Sequence, residues 1–119
     1  MSRVIRTKRA YEPPADDDGL RVLVDRLWPR GLTKEAAQVD LWVKEIAPTN
    51  ELRKWYKHEP EKWDEFRRRY ANELATHEGE VAALEEQLDG RVTFLFSSKE
   101  EHLNNATALK EYLDARSGG

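Results

Sequence analysis

Apolar and polar positions along the chain change their period several times, and each change predicts an element. Val4 and Ile5, flanked by Arg3 and Arg6, predict a short first strand. Glu12-Pro13-Pro14-Ala15-Asp16-Asp17-Asp18-Gly19 predicts a loop, because two prolines, three acids and a glycine continue neither helix nor strand. Leu20-Arg21-Val22-Leu23-Val24-Asp25 predicts a second strand, dense in Leu and Val and buried on both faces. It ends in Trp28-Pro29-Arg30-Gly31, where Pro29 removes a backbone donor and Gly31 opens unusual dihedrals. Thr33 caps a short helical turn over 34–37. Val39, Leu41 and Val43 then alternate with Asp40, Trp42 and Lys44, the period of a half-buried third strand.

Pro48 stops that strand, and Thr49 or Asn50 caps a helix carrying Leu52, Trp55 and Tyr56. His58-Glu59-Pro60 is a break. The clearest helix is 61–75, with Trp63, Phe66, Tyr70 and Leu74 on one stripe. Gly79 separates it from a second amphipathic helix bearing Val81, Leu84 and Leu88. Asp89-Gly90 turns the chain into Val92-Thr93-Phe94-Leu95-Phe96, the strongest strand. A last helix has Leu103, Ala106, Leu109 and Leu113 inward, and Ser98 with Glu101 resembles a capping box at its start. Arg116-Ser117-Gly118-Gly119 reads as a frayed end, with 117–119 a flexible tail. With no repeat or linker, residues 1–119 are expected to form one α/β domain, a short, mainly parallel sheet covered by helices. In such sheets the ligand crevice lies beyond the carboxyl ends of the strands. The loops 26–31, 47–50 and 97–105 are the ones expected to meet there.

Composition narrows the classes of function. Four Trp, four Tyr and three Phe among 119 residues argue for a packed interior. The absence of Cys excludes disulfides, thiolate catalysis and thiolate metal sites. No apolar run approaches a membrane span, and the first residues lack the apolar core of a signal peptide, so a cytoplasmic protein is expected. The net charge of −3 hides an asymmetry: residues 1–33 hold seven Lys/Arg against five Asp/Glu, and the remainder 13 against 18. That balance argues against a global basic face for duplex DNA and leaves room for a locally cationic cleft.

Several blocks carry a family resemblance. They are Asp18-Gly19, the eleven residues Arg21-Val22-Leu23-Val24-Asp25-Arg26-Leu27-Trp28-Pro29-Arg30-Gly31, Ala47-Pro48, Leu52-Arg53-Lys54-Trp55, Phe66-Arg67-Arg68-Arg69-Tyr70, and Asn104-Asn105-Ala106 followed by Leu109. Over nearly the whole chain the pattern resembles the YeaO-like branch of the domain of unknown function 488 family. The resemblance implies a single small bacterial α/β domain and carries no assigned chemistry. Relatives in this branch often place a His directly before the Asn pair; here that position is Leu103, with His102 one residue earlier. The broader family often carries a Cys-His-Arg cluster after the last strand, and this chain has no Cys to inherit thiol chemistry.

The loop Asp25–Gly31 is the leading site. Arg26 and Arg30 present planar forks of donors that grip phosphate or carboxylate, and Trp28 supplies an apolar platform. A structural reading stands beside it, in which Asp25 pairs with an Arg while Trp28 and Pro29 close the end of the sheet. Thr49 and Ser98 precede helices, where free N–H groups attract anions, although each also reads simply as a cap. Lys99, His102, Asn104 and Asn105 cluster before the last helix: Lys99 suits phosphate, and the Asn amides suit a base edge or amide. Asp25 and His102 are the candidates for proton transfer, and no nucleophile stands out.

Asp16-Asp17-Asp18-Gly19 lacks the spacing of a calcium loop and reads as a solvated turn. His58, His77 and His102 are not spaced as ligands, so neither a metal nor a cofactor is expected. Arg67–Arg69 reads as a solvated face paired with Asp64, Glu65 and Glu73. The expected function is binding of a small anionic or nucleotide-like molecule at Asp25–Gly31, and whether the protein is an enzyme stays open. The alternatives are a module meeting single-stranded nucleic acid through these arginines, Lys99 and Arg67–Arg69, or an interaction protein whose Trp28 or Trp42 covers a partner.

Overall fold

Five consecutive buried residues, Val92–Phe96, mark the strand around which the fold is assembled. In the computed structural model, which describes residues 3–118, the strands are β1 (Arg3–Arg9), β2 (Leu20–Leu23), β3 (Leu41–Trp42) and β4 (Gly90–Phe96). They form one sheet in the order β1-β4-β2-β3, and the pairs among the described residues are all parallel. β4 is thus interior, with Val92 beside Ile5 on one side and Leu20 on the other. The helices are α1 (Lys34–Ala37), α2 (Asn50–Tyr56), α3 (Trp63–Ala75), α4 (Glu78–Gln87) and α5 (Asn105–Gly118). The chain is an α/β protein with a parallel sheet, as its pattern predicts.

Side chains alternate across a strand, so a strand buried at consecutive positions must have both faces covered. Ile5, Val22, Val24, Val92, Phe94 and Phe96 join the large core with Tyr56, Phe66, Tyr70, Leu74, Val81, Leu84, Leu109 and Leu113. The intervening Leu23 and Leu95 join Ala10 in a second, smaller cluster under Trp28, Leu32 and Val39. Helices α2–α5 cover the first face. Loops and the short α1 cover the second, a less helical cover than the pattern suggests.

That thinner face also holds a buried charge cluster. Asp18 accepts from the Ala15 N–H at 3.0 Å and from Lys8 Nζ at 3.0 Å, and it pairs with the Arg21 guanidinium. Arg21 further donates to the Ala37 carbonyl at 2.7 Å, tying this cluster to α1. The expectation of a solvated acidic turn therefore fails at Asp18, which is buried, while Asp16 and Asp17 remain exposed. Gly19 causes the inversion. Its φ of +66° swings the backbone so close to Arg91 that a Cβ would collide with the Arg91 carbonyl.

Several predicted boundaries move. β1 is longer than Val4–Ile5, and β3 is shorter than 39–43, although the in-and-out alternation persists. Helix 61–75 divides into a 3-10 turn over Pro60–Lys62 and α3. The last helix is not opened by a Ser98–Glu101 box. Asn104 caps it instead, accepting from Thr107 N at 3.0 Å while donating to the Glu100 carbonyl at 2.8 Å, so Leu103 precedes the helix. α5 runs to Gly118, with Arg116 bonded to Glu78 and Glu85 of α4, and Gly119 lies outside the described residues. Among the described residues no helix is long and apolar enough to cross a membrane.

Two outcomes follow. Phe94→Asp would place an unpaired charge in the main core, at a cost of several kcal/mol, comparable with the roughly 5–15 kcal/mol that holds a domain together. Cooperative urea unfolding is expected to vanish, and a soluble variant with a single sharp transition would contradict this placement of the core. Burial pushes the Asp18 carboxyl up, but the Ala15 N–H, Lys8 and Arg21 outweigh it and hold the group below its usual range. Its stabilisation is therefore complete above about pH 4 and is lost as pH falls through the depressed native value. Asp18→Asn is expected to cost about 3–5 kcal/mol at pH 7, with the gap to the parent narrowing in acid. Urea denaturation at pH 7 and pH 3 measures both.

Candidate functional site

Because β2 and β4 are adjacent and parallel, their carboxyl ends emerge side by side, and the Val24 N–H still donates to the Leu95 carbonyl at 3.1 Å. Asp25 follows β2. Its Oδ2 accepts from Ser97 N at 2.9 Å and Ser97 Oγ at 2.7 Å, just past β4. Its Oδ1 accepts from Asn105 Nδ2 at 3.0 Å, and the same amide reaches the Val24 carbonyl at 3.0 Å. One carboxylate thereby holds two strand ends and the first residue of α5 together. Arg26 turns toward the segment before α2, donating to the Ala47 carbonyl at 2.8 Å and the Pro48 carbonyl at 3.2 Å. Thr49 caps α2 by accepting from Leu52 N at 3.2 Å, and its hydroxyl donates to Glu73 at 2.7 Å.

Beyond these ends lies a polar cavity of about 90 Å³, lined by Asp25, Arg26, Pro48, Arg53, His58, Ser97, Ser98 and Asn105. A neighbouring cavity of about 220 Å³ shares Pro48, Arg53, His58 and Asn105 and adds Asn50, Lys54, Tyr56 and Phe66. His58 is brought there by two successive left-handed residues, Lys57 at φ 52° and His58 at φ 57°. Such backbone costs on the order of 1 kcal/mol or more per non-glycine residue, so the surroundings must impose it. Tyr56 donates to the Leu103 carbonyl at 2.8 Å, and burial, aided by Glu100, pushes its phenol up to about 12. It stays protonated and structural. Burial likewise raises Tyr70, which donates to the Ile46 carbonyl at 2.7 Å.

The family model described as the inactive DUF488-N3 subclade matches residues 4–117. The chain belongs to this family. It is similar to the uncharacterised protein YeaO of Escherichia coli, 43% identical over 110 residues that cover 92% of this chain and 96% of that one. It is also 42% identical to the uncharacterised protein Rv3073c of Mycobacterium tuberculosis over 114 residues, covering 94% and 95% of the two chains. The uncharacterised protein Mb3100c of Mycobacterium bovis shows the same identity and coverage. No solved structure matches the chain.

Within this member of the family, the residues singled out from sequence separate into two groups. Asp25, Arg26, Ser98 and Asn105 line the smaller cavity. Trp28, Arg30, Thr49, Lys99, His102 and Asn104 line neither cavity. Trp28 donates to the Leu32 carbonyl at 2.6 Å and meets Trp42 edge-on at 5.5 Å, closing the second face of the sheet. Arg30 is exposed; its carbonyl accepts from Tyr11, and its guanidinium has no partner among the described residues. Asp25 is held by Ser97 and Asn105, so the Arg partner of the structural reading is not the one it takes. Arg67 pairs with Asp64 and Glu111, and Arg68 and Arg69 pair with Glu65, whereas Glu73 serves Thr49 instead.

Reading by motif missed Arg53, His58 and the Tyr56–Phe66 wall as site residues. Arg53 stood in the family block Leu52-Arg53-Lys54-Trp55, which was the available signal. Nothing in the sequence announces the left-handed turn that delivers His58. The cleft is lined by guanidinium, imidazole, hydroxyl, carboxylate and amide groups. Ser97 points its hydroxyl proton into Asp25, and the His58 ring has no hydrogen bond among the described residues. Nucleophilic catalysis needs a base within reach of the hydroxyl and a group orienting that base, and this chain of contacts is not formed here. Among the described residues no three His, Asp or Glu side chains group as metal ligands.

The two loop arginines should respond differently to truncation. Arg26→Ala releases two carbonyls and is expected to destabilise by about 1–3 kcal/mol. Arg30→Ala is expected to stay within about 0.5 kcal/mol of the parent. Thermal and urea unfolding of both variants checks this, and a loss of several kcal/mol at Arg30 would show that it has a structural partner.

Proposed function

We propose that the protein binds a small anionic or nucleotide-like molecule in the cleft at the carboxyl ends of β2 and β4, without turning it over. The observation carrying this reading is convergence: Arg26, Arg53, His58, Ser97 and Ser98 line one small polar cavity in a chain whose net charge is −3. Guanidinium and hydroxyl donors around a partly enclosed space are the usual means of holding phosphate or carboxylate. Asp25 lies in the same wall, with both oxygens engaged by Ser97 and Asn105. The family description, an inactive subclade, favours binding over turnover. Of the ligand residues proposed from sequence, Arg26, Ser98 and Asn105 remain; Arg53 and His58 take the place assigned to Arg30.

Arg53 is the residue to test, because it is exposed and its guanidinium bonds, among the described residues, only to Asn50 Oδ1 at 3.2 Å. Arg53→Ala is expected to leave unfolding within about 0.5 kcal/mol of the parent. Affinity for inorganic phosphate should fall at least about tenfold, and Arg53→Lys should recover part of it, keeping the charge and losing the fork. Calorimetric titration measures this. Parent and Arg53→Ala binding phosphate alike would overturn the site. Tight, steeply salt-dependent binding of a single-stranded oligonucleotide, with no binding of phosphate, would instead favour a nucleic-acid module.

A further inference from the structure

The cleft is two unequal compartments, and the difference between them points to the shape of what it holds. This inference rests on the anion-binding reading above and names the class of ligand. The smaller compartment, about 90 Å³, is walled mainly by charged and hydroxyl side chains. It offers room for roughly a few water molecules, enough for one phosphoryl group and too little for a chain of them. The larger, about 220 Å³, adds Asn50, Lys54, Tyr56 and Phe66 to the residues the two share. Tyr56 and Phe66, stacked on each other at 4.3 Å with 23° between their planes, give that compartment the aromatic side that the smaller one lacks. A part-apolar, aromatic lining of this kind suits a ring better than a second phosphate.

The two compartments share Pro48, Arg53, His58 and Asn105, so they are parts of one cleft. Their joint size reaches the low end of small-molecule sites, roughly 300 Å³. Polar capacity left over in the lining adds a further constraint. Asn50 uses its Oδ1 to accept from Arg53, leaving its amide hydrogens as donors. Asn105 uses its Nδ2 on Val24 and Asp25, leaving Oδ1 as an acceptor with no partner among the described residues. One free donor and one free acceptor beside an aromatic wall match the edge of a heterocycle better than a plain hydrocarbon ring. We infer that the cleft takes a phosphomonoester carrying one flat, heteroatom-bearing ring, of the nucleoside monophosphate class, with phosphate in the smaller compartment and ring in the larger.

The test is calorimetric titration of the full chain with inorganic phosphate, phenyl phosphate, adenosine and cytidine 5′-monophosphates, and adenosine triphosphate. At least one nucleoside monophosphate is expected to bind at least tenfold more tightly than inorganic phosphate, and more tightly than phenyl phosphate and the triphosphate. Asn50→Trp fills the larger compartment from an exposed position. In this variant the monophosphate should bind no more tightly than inorganic phosphate does, and a preference for the monophosphate that survives would overturn the ring's placement. Inorganic phosphate binding as tightly as the nucleotides would overturn the ring compartment and leave the anion site standing. Phenyl phosphate binding best would overturn the nucleoside class in favour of an aryl phosphate such as phosphotyrosine. No binding of any phosphate would overturn the anion site itself, and this inference with it.

Discussion

The Asp25 carboxylate is the interaction on which the rest of the cleft depends. Two parallel strands ending side by side leave backbone groups that the sheet no longer pairs, and these must find partners elsewhere. Asp25 meets three donors at once, two from Ser97 and one from Asn105, and the Asn105 amide also satisfies the Val24 carbonyl. Bonds to an ionised acceptor are stronger than neutral ones, so a single side chain is able to lock three segments far apart in the chain. The consequence is geometric. With β2, β4 and α5 joined at one point, Arg26 is left facing the Ala47–Pro48 segment, and its two bonds there close the floor of the cleft.

The sheet is stabilised differently on its two faces, and this division explains why the cleft opens where it does. One face is covered by α2–α5 through a continuous apolar core. The other depends on a small cluster around Leu23 and Leu95 together with the Lys8–Asp18–Arg21 group. A buried charge group of this kind contributes little net stability against an apolar replacement, but it tolerates no loss of a single partner. It joins the acidic turn, the middle of β2 and α1 in a fixed arrangement. The helical face can then carry the cavity at its upper rim, between the start of α2 and the start of α5, without loss of core packing.

The same arrangement decides which polar groups of the cleft are engaged by the fold. Ser97 and Tyr56 donate their hydroxyl protons inside the fold, to Asp25 and to the Leu103 carbonyl. Arg53, Lys54 and His58, by contrast, sit exposed at the mouth. The His58 imidazole is thus a titratable group of the cleft left without a hydrogen bond among the described residues.

Much of this was legible in the chain alone. The runs 20–24 and 92–96, apolar but for Arg21 and Thr93, pointed to strands covered on both sides, because apolar side chains alternating to both faces leave little to present to water. The stripe Trp63, Phe66, Tyr70 and Leu74 required a helix, and the block around Asp25 and Arg26 marked the cleft's floor. Period and propensity are local properties, and they sufficed for these elements. They could not show that Asp18 is buried, since three adjacent acids look alike until Gly19 bends one of them over the sheet. Nor could they divide Arg26 from Arg30. Both stand on one stiff turn, yet one guanidinium finds carbonyls 21 and 22 residues away while the other faces solvent. Arg53 and His58 entered the site only through the docking of α2 and its left-handed exit. Contacts between residues distant in sequence depend on how the elements pack, and only the tertiary structure decided them.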